Sequence, residues 1–220
     1  IRLVAHPILA VERDGSGALL RSPVAAHVRN GERRESFIHI HVERVEDAER
    51  RAEIVRALEQ VLAEVRACVH DWQPMVGRVR EVVAALKARP PLPADDVAEA
   101  IAFLEWLLAD NFTLLGVRDY ALGADRDLAP VLESGLGLLR GEDAPVLKRD
   151  GKVVTVTPEL RAFFDEPKTL LVTKANVKSR VHRRVYLDTV GVKRFGPTAS
   201  RWASSASSGC SPDRKSTRLN

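Results

Sequence analysis

The spacing of apolar residues changes from that of a strand to that of a helix between residues 43 and 47, and this change constrains the fold most. Residues 35–43 alternate with period two, as in a half-buried strand. Residues 47–70 carry an apolar stripe at helical spacing. An apolar run at residues 1–9 predicts an earlier strand. Strand, strand, helix is most of a ferredoxin-like βαββαβ unit, so we expect a further strand and helix before Ile1.

Helices and then strands are predicted downstream. Residues 73–88 and the residues from Pro93 to Asp110 have helical patterns, separated by prolines. Strands are predicted at residues 112–122, 136–140, 153–157, 170–174 and 185–195, with a short helix at 158–164. Their short connections favour antiparallel pairing. The sequence therefore predicts an α+β protein with a first unit over 1–70, a helical connector over 71–111 and a second antiparallel α+β unit over 112–195.

The charge of the chain is concentrated in its last residues. The net charge is +4 and the pI is about 9.3, values that suggest a polyanion-binding protein. Residues 196–220 account for +3 of this charge, so residues 1–195 are nearly neutral. This distribution argues against nucleic-acid binding. Without a long apolar run or a signal peptide, the sequence also predicts a cytoplasmic protein that does not enter a membrane.

Residues 196–220 lose all periodicity after a well-patterned strand, and a disordered Ser/Ala tail is one interpretation. A second interpretation comes from the DNA. Written in GC-rich codons and shifted by two bases, residues 196–212 read Pro-Asp-Gly-Glu-Pro-Val-Gly-Glu-Leu-Arg-Phe-Leu-Gly-Leu-Phe, a turn followed by an apolar strand. Residues 213–220 resemble the translation of a common sequencing-library adapter. We interpret 196–220 as a non-native frameshift and adapter-like tail, and expect no stable structure there.

Few residues have the spacing of a catalytic or metal site. His39 and His41 have a spacing that metals accept, but no third ligand is placed, so a solvated strand face is favoured. The glycines at 135, 137 and 141 are one residue too widely spaced for a dinucleotide fingerprint, and a plain turn explains them. We predict no catalytic residue, no metal site and no NAD bound by this chain.

A basic segment stands apart from the rest of the chain. Residues 174–194 hold seven basic side chains against Asp188 alone. A solvated loop between strands is one interpretation, and capture of a carboxylate ligand or an acidic partner surface is another. A nucleic-acid interface is disfavoured because aromatic residues are not interleaved with the basic ones. The candidate contacts are Lys174, Asn176, Arg180, His182 and Arg183.

Several segments resemble one family in order along residues 1–195. The residues that carry the resemblance lie at 3–9, 35–40, 103–120, 134–137, 173–176 and 181–195. Together they resemble the N-terminal region of the large bacterial NAD-dependent glutamate dehydrogenases. The departures are Leu108, where the family tends to be one residue shorter, and Thr189, where an aromatic residue is usual.

The resemblance implies a partial ACT-like domain over 1–70 and a second sensory α+β domain over 112–195, with a PAS-like fold as one form. It implies a parent enzyme that uses NAD to deaminate L-glutamate oxidatively to 2-oxoglutarate and ammonia. This piece would be a non-catalytic regulatory or assembly portion, partnered by the rest of the parent chain, an amino-acid effector and further copies in a homo-oligomer. The alternative is a free-standing ACT-type module that senses amino acids.

Overall fold

The computed structural model describes residues 3–16, 18–21, 33–90, 94–122, 128–141, 149–150, 153–154, 163, 165–193 and 203–210. The chain forms two compact units, Ile1–Arg56 and Ala57–Asn220. Its helices are α1 (Ala48–His70), α2 (Trp72–Ala88) and α3 (Ala94–Trp106), and a turn with non-helical backbone angles at Ala109 and Asp110 follows at Leu107–Asn111. The three predicted helices are confirmed.

The strands of the first unit are β1 (Leu3–Ala5), β2 (Ile8–Arg13), β3 (Leu19–Arg21), β4 (Arg33–Ser36) and β5 (His39–His41). Strand β1 pairs with β5, and β2 pairs with β3 and β4. The pairs Ala5 with His39 and Ile8 with Ser36 keep one register. The ladder is interrupted at Pro7, which has no N–H to donate. The strands predicted at 1–9 and 35–43 therefore form one interrupted antiparallel hairpin.

The strands of the second unit are β6 (Thr113–Leu122), β7 (Leu128–Pro130), β8 (Leu136–Gly137), β9 (Arg149–Asp150), β10 (Val153–Val154), β11 (Leu170–Lys178), β12 (Tyr186–Val192) and β13 (Ala203–Cys210). Within the described residues their order is β11-β12-β13-β6-β7-β10-β9, and β8 pairs with β6. Every pairing is antiparallel, as predicted. The predicted helix at 158–164 lies outside the described residues, apart from Phe163.

The helix ends follow from local hydrogen bonds. The Asp47 carboxylate accepts the Glu49 N–H at 2.8 Å and so caps the start of α1. After α3, Asp110 adopts a left-handed conformation with φ 60°. The Asn111 amide donates to the Trp106 carbonyl at 3.0 Å, which satisfies one of the carbonyls left at the helix end.

Helices α2 and α3 pack on the sheet and share one core with it, so the predicted connector over 71–111 is wrong. The core contains Met75, Val79, Val82, Val83, Leu86, Val97, Leu104, Leu107, Leu114, Val117, Val190 and Val192. An apolar stripe on each helix needs a partner surface, and β6 and β12 provide it. The two helices therefore belong to the second unit.

A β-bulge in β6 directs neighbouring residues to different cores. The register between β6 and β13 skips Leu115. Leu114 lies in the core under α2 and α3, whereas Leu115 lies in a second cluster with Cys68 of α1. The Leu115 carbonyl accepts the Leu138 N–H at 2.8 Å and the Cys68 thiol at 3.2 Å. The bulge thus ties the end of α1 to the turn after β8.

The predicted strand at 136–140 is shorter than expected. Only Leu136 and Gly137 pair with β6, because the Leu139 and Arg140 N–H groups donate back to Leu136 and Gly137 at 3.1 and 3.2 Å. These bonds form a turn rather than a ladder.

The expectation that residues 196–220 have no stable structure is wrong for Ala203–Cys210, which form β13 between β6 and β12. Backbone N–H and C=O groups pair whatever the side chains are, and β6 and β12 offer such groups on both sides. Residues 196–202 and 211–220 lie outside the described part of the chain.

Candidate functional site

The basic segment, residues 174–194, covers the end of β11, the connection at residues 179–185 and the whole of β12. Ser179 closes the connection: its N–H donates to the Val185 carbonyl at 2.8 Å, and its hydroxyl donates to the Val181 carbonyl at 2.6 Å. Val181 is buried in the cluster around Leu187. His182 follows with φ 67°, a left-handed conformation that residues other than glycine seldom adopt. The connection is therefore a defined loop anchored at Val181.

Arg180 contacts helix α1. Its guanidinium donates to Gln60 Oε1 at 3.0 Å and forms an ion pair with Glu64. The Arg180 side chain nevertheless remains 47% exposed, against 21% for Glu64. An exposed pair of this kind stabilises a fold by about 0.2–1 kcal/mol. Arg180 therefore links the loop to α1 while it stays open to solvent.

Lys174 and Lys178 have partners on β12. The Lys174 ammonium lies 2.6 Å from Asp188 Oδ1, across the ladder where the two residues are register partners. The Lys178 ammonium lies over the Tyr186 ring, 5.1 Å from its centre. The register shifts between Lys174 and Lys178. Asp188, the only acidic residue of the segment, is thus engaged by Lys174.

The four predicted contact residues whose side chains the structure describes do not converge on one point. Lys174 pairs along the sheet, and Arg180 pairs with α1. His182 is exposed at the turn, and Arg183 is half-buried. Asn176 belongs to β11, but its side chain lies outside the described part of the structure. The structure shows an extended basic strip rather than a closed pocket.

A second polar cluster centres on Asp71, which the sequence analysis did not single out. Asp71 lies between α1 and α2 and is 1% exposed. Its carboxylate accepts the Gly137 N–H at 2.8 Å and the Arg140 Nε–H at 3.0 Å, and Arg140 Nη2 also binds it. His70 Nδ1 lies 2.9 Å away. Gly137 and Arg140 lie 66 and 69 residues downstream of Asp71, a proximity that local sequence patterns do not reveal.

The pKa of Asp71 lies below its ordinary value. Burial raises the pKa, but the hydrogen bonds from His70, from the Gly137 N–H and from Arg140 outweigh burial and lower it. The carboxylate is therefore ionised at neutral pH. The buried negative charge is stabilised by the donors around it.

The Asp71 carboxylate accepts hydrogen bonds from the glycine-rich turn around Gly137. Gly137 has φ 59°, and a Cβ there would collide with the Leu115 carbonyl oxygen. A backbone N–H beside a guanidinium could hold a phosphate in principle. Here both groups already bind Asp71. The turn after β8 thus binds an internal anion, in agreement with its interpretation as a plain turn.

Neither metal chemistry nor a membrane span is indicated in the described part of the chain. No group of three or more His, Cys, Asp or Glu side chains there could hold a metal ion. His39 and His41 are exposed on β5. Among the same residues, no helix has both the length and the apolar character needed to span a bilayer.

Comparison with known proteins finds similarity to bacterial glutamate dehydrogenases. A family model described as "Glutamate dehydrogenase, ACT1 domain" matches residues 1–58. The NAD-specific glutamate dehydrogenase of Halomonas elongata is 32% identical over 200 residues, which is 89% of this chain and 12% of that protein. The enzyme of the same name from Pseudomonas aeruginosa is 31% identical over 192 residues, and that from Mycobacterium tuberculosis is 26% identical over 194 residues.

The first 58 residues thus carry an ACT-type domain of the glutamate dehydrogenase kind, which fits a partial ACT-like fold for the first unit. Over 86–89% of its length, the chain is similar to a small part of bacterial NAD-specific glutamate dehydrogenases. It spans about 12% of the length of the curated relatives it matches.

Proposed function

We propose that this chain is the N-terminal regulatory and assembly portion of an NAD-dependent glutamate dehydrogenase. The parent enzyme deaminates L-glutamate oxidatively to 2-oxoglutarate and ammonia in the cytoplasm. One observation carries the proposal: 86–89% of the chain matches NAD-specific glutamate dehydrogenases, yet it spans only 11–12% of their length. A regulatory role for its ACT-type domain rests on analogy of fold.

The chain itself does not bind NAD in this proposal. Dinucleotide sites use a glycine-rich turn whose free N–H groups meet the pyrophosphate at a helix start. In the glycine-rich turn of this chain, the Gly137 N–H and Arg140 instead bind Asp71. We expect titration calorimetry of the chain with NAD to give no saturable heat. Saturable binding at micromolar affinity would contradict the proposal.

The second unit is proposed to be the further sensory domain, with a PAS-like arrangement. Its antiparallel sheet, covered by α2 and α3, is the architecture that supports this assignment. The effector is proposed to be an amino acid, and the working enzyme a homo-oligomer. A free-standing sensing module has less support, because the match to the enzymes covers more of the chain than residues 1–58.

The basic strip is proposed to meet a carboxylate, either of the effector or of an acidic surface in the complete enzyme. Its candidate contacts remain Lys174, Asn176, Arg180, His182 and Arg183. The support is the anchored loop and the solvent exposure that Arg180 retains beside Glu64. Arginine suits such planar contacts because its guanidinium can donate two parallel hydrogen bonds.

Alanine substitutions in the full-length enzyme test the strip. Arg180→Ala should change domain stability by less than about 1 kcal/mol, because an exposed ion pair contributes little, and we expect Arg183→Ala to leave the domain folded as well. They should alter the assembly of the enzyme or its response to amino acids. Arg50→Ala is a matched control, since Arg50 forms a similarly exposed pair with Glu53. If both test variants unfold the domain, the residues are structural; if they behave like the control, the strip is only a solvated surface.

A further inference from the structure

An apolar line on helix α1 is left open to solvent in the second unit. Cys68 is buried there, and Val65 packs beside it in an apolar cluster. Leu58, Leu62 and Val69 on the same helix are instead 54%, 45% and 73% exposed. Single exposed apolar side chains are ordinary on protein surfaces, whereas a contiguous set of them marks an interaction surface. The line formed by Leu58, Leu62, Val65 and Val69 therefore calls for a partner.

The spacing of the line is that of two helices packed side by side. The steps from Leu58 to Leu62, Val65 and Val69 are four, three and four residues. Apolar residues that alternate in this way repeat about every 3.5 residues, the period at which one helix packs along another. Trp72, which is 50% exposed at the start of α2, continues the same spacing. The pattern favours a second helix as the partner.

The Arg180 loop does not cover this line. Gln60 and Glu64, which bind Arg180, lie two residues before and two residues after Leu62. Two residues along an α-helix correspond to a rotation of about 200°, so both side chains lie on the opposite side of α1 from Leu62. The loop and the apolar line therefore use different faces of the helix.

The charges beside the line favour a second copy of α1 that runs in the opposite direction. Glu59 and Arg66 are exposed, and each directly follows a residue of the line. They lie seven residues apart, roughly 10 Å along the axis, so they cannot pair with each other. In an antiparallel pair with Leu62 beside Val65 of the second copy, Glu59 lies next to Arg66 of the second copy. Two-fold symmetry forms this contact of opposite charges twice.

A parallel pair of α1 helices would not use these charges. In a parallel pair, a residue at this flanking position lies near the residue roughly five positions earlier on the second copy. Those residues are Ile54 for Glu59 and Val61 for Arg66, and neither carries a charge. The antiparallel arrangement is therefore the one whose charges are complementary.

We propose that the apolar line on α1 is a self-association surface, on which α1 of a second copy of this chain packs antiparallel about a two-fold axis. The inference rests on the homo-oligomer of the proposed function and names the surface that forms it. The pair buries the line of both copies, and the two contacts between Glu59 and Arg66 set its direction.

Sedimentation equilibrium of the full 220-residue chain tests the surface. We expect a dimer at micromolar concentrations. Leu62→Gln should raise its dissociation constant about tenfold or more, because an apolar side chain is lost from the contact in both copies. Circular dichroism should show that this variant is folded, since Leu62 is already half exposed. A monomeric starting chain, or a dimer that Leu62→Gln leaves unchanged, would overturn the proposal.

Charge reversal tests the direction of the pair. Glu59→Arg and Arg66→Glu should each raise the dissociation constant about tenfold, because two attractive contacts become repulsive. The double variant should return to the value of the starting chain, since each contact again joins opposite charges. Arg80→Glu is the matched control, because Arg80 is exposed on α2 and undergoes the same change of charge outside the line. A double variant that binds no better than the single variants would overturn the antiparallel pair.

Other partners for the line would give different results. If another segment of the same chain or a different macromolecule covers the line, the starting chain stays monomeric, and the proposal is overturned. None of these measurements uses NAD or glutamate. A monomeric chain would therefore leave the proposed enzyme unaffected, and an enzyme that does not oxidise glutamate would leave the measured dimer unaffected.

Discussion

Replacement of Asp71 by asparagine tests whether the buried carboxylate holds the turn after β8 in place. Asparagine keeps the shape but loses the charge and turns one acceptor into a donor. In Asp71→Asn, either the Gly137 N–H or the Arg140 guanidinium therefore faces an amide N–H. A hydrogen bond to a charged group contributes about 1.5–3 kcal/mol, and a buried unpaired N–H costs about 1–3 kcal/mol.

The two costs are not additive, because they concern the same hydrogen bonds. The Arg140 guanidinium can also hydrogen-bond to water in the variant, since its side chain is 56% exposed. We therefore expect Asp71→Asn to lower the free energy of unfolding by about 2–4 kcal/mol at neutral pH. Urea unfolding followed by circular dichroism measures this difference. Glu81→Gln is the matched control: Glu81 is 62% exposed in its pair with Arg78, so the cost should stay below about 1 kcal/mol.

The pH dependence provides a second check on the same carboxylate. Because the pKa of Asp71 is lowered in the folded chain, its contribution is fully present above its unfolded pKa, about 3.9. The contribution is lost as the pH falls from there through the folded pKa. The difference between the starting chain and Asp71→Asn should shrink accordingly. A loss no larger than that of the control, or a difference that stays constant in acid, would refute the reasoning.

Two further predictions concern the same region. Gly137→Ala should destabilise the chain by more than about 1–2 kcal/mol, because the φ of Gly137 is left-handed at 59° and a Cβ would collide with the Leu115 carbonyl oxygen. Gly77→Ala in α2 should instead stabilise the chain by about 0.5–1 kcal/mol, because a Cβ there meets nothing within 4 Å. A thermal melt in which Gly137→Ala is the more stable of the two variants would contradict this reasoning. Burial raises the pKa of the Cys68 thiol to about 11, so little reactive thiolate forms in the folded chain. In a chain that also carries Cys210→Ser, iodoacetamide should therefore alkylate Cys68 far more slowly in the folded state than in urea. Equal alkylation rates in the two states would contradict this prediction.

The helices could be predicted from the sequence because their signals are local. Asp47 caps α1, Pro93 precedes α3, and the apolar stripes repeat at helical spacing. The strands β6, β11 and β12 are likewise recognisable from runs of apolar residues. What could not be predicted is which surfaces meet. The stripes of α2 and α3 are equally compatible with a connector and with a cover for a sheet, and only the position of β6 and β12 decides between them.

The candidate sites likewise combine features that the sequence predicts with contacts that only the tertiary fold creates. The basic loop between two strands was predictable, since charge and strand patterns are visible along the chain. Its partner Glu64 lies 116 residues before Arg180, and the partners of Asp71 lie 66 and 69 residues after it. Such pairs depend on the tertiary fold rather than on local patterns. Strand β13 differs from the other strands, because its residues predict no strand and its pairing with β6 and β12 is what makes it one.

Reduction of NAD by L-glutamate is the measurement that tests the central claim most directly. It compares the full-length protein encoded by the intact gene with this chain alone, both assayed with amino acids added in turn. We expect the full-length protein to reduce NAD and form 2-oxoglutarate, with a rate that responds to an amino acid, and this chain to show no turnover. Turnover by this chain alone, or a full-length protein that does not oxidise glutamate, would contradict the account.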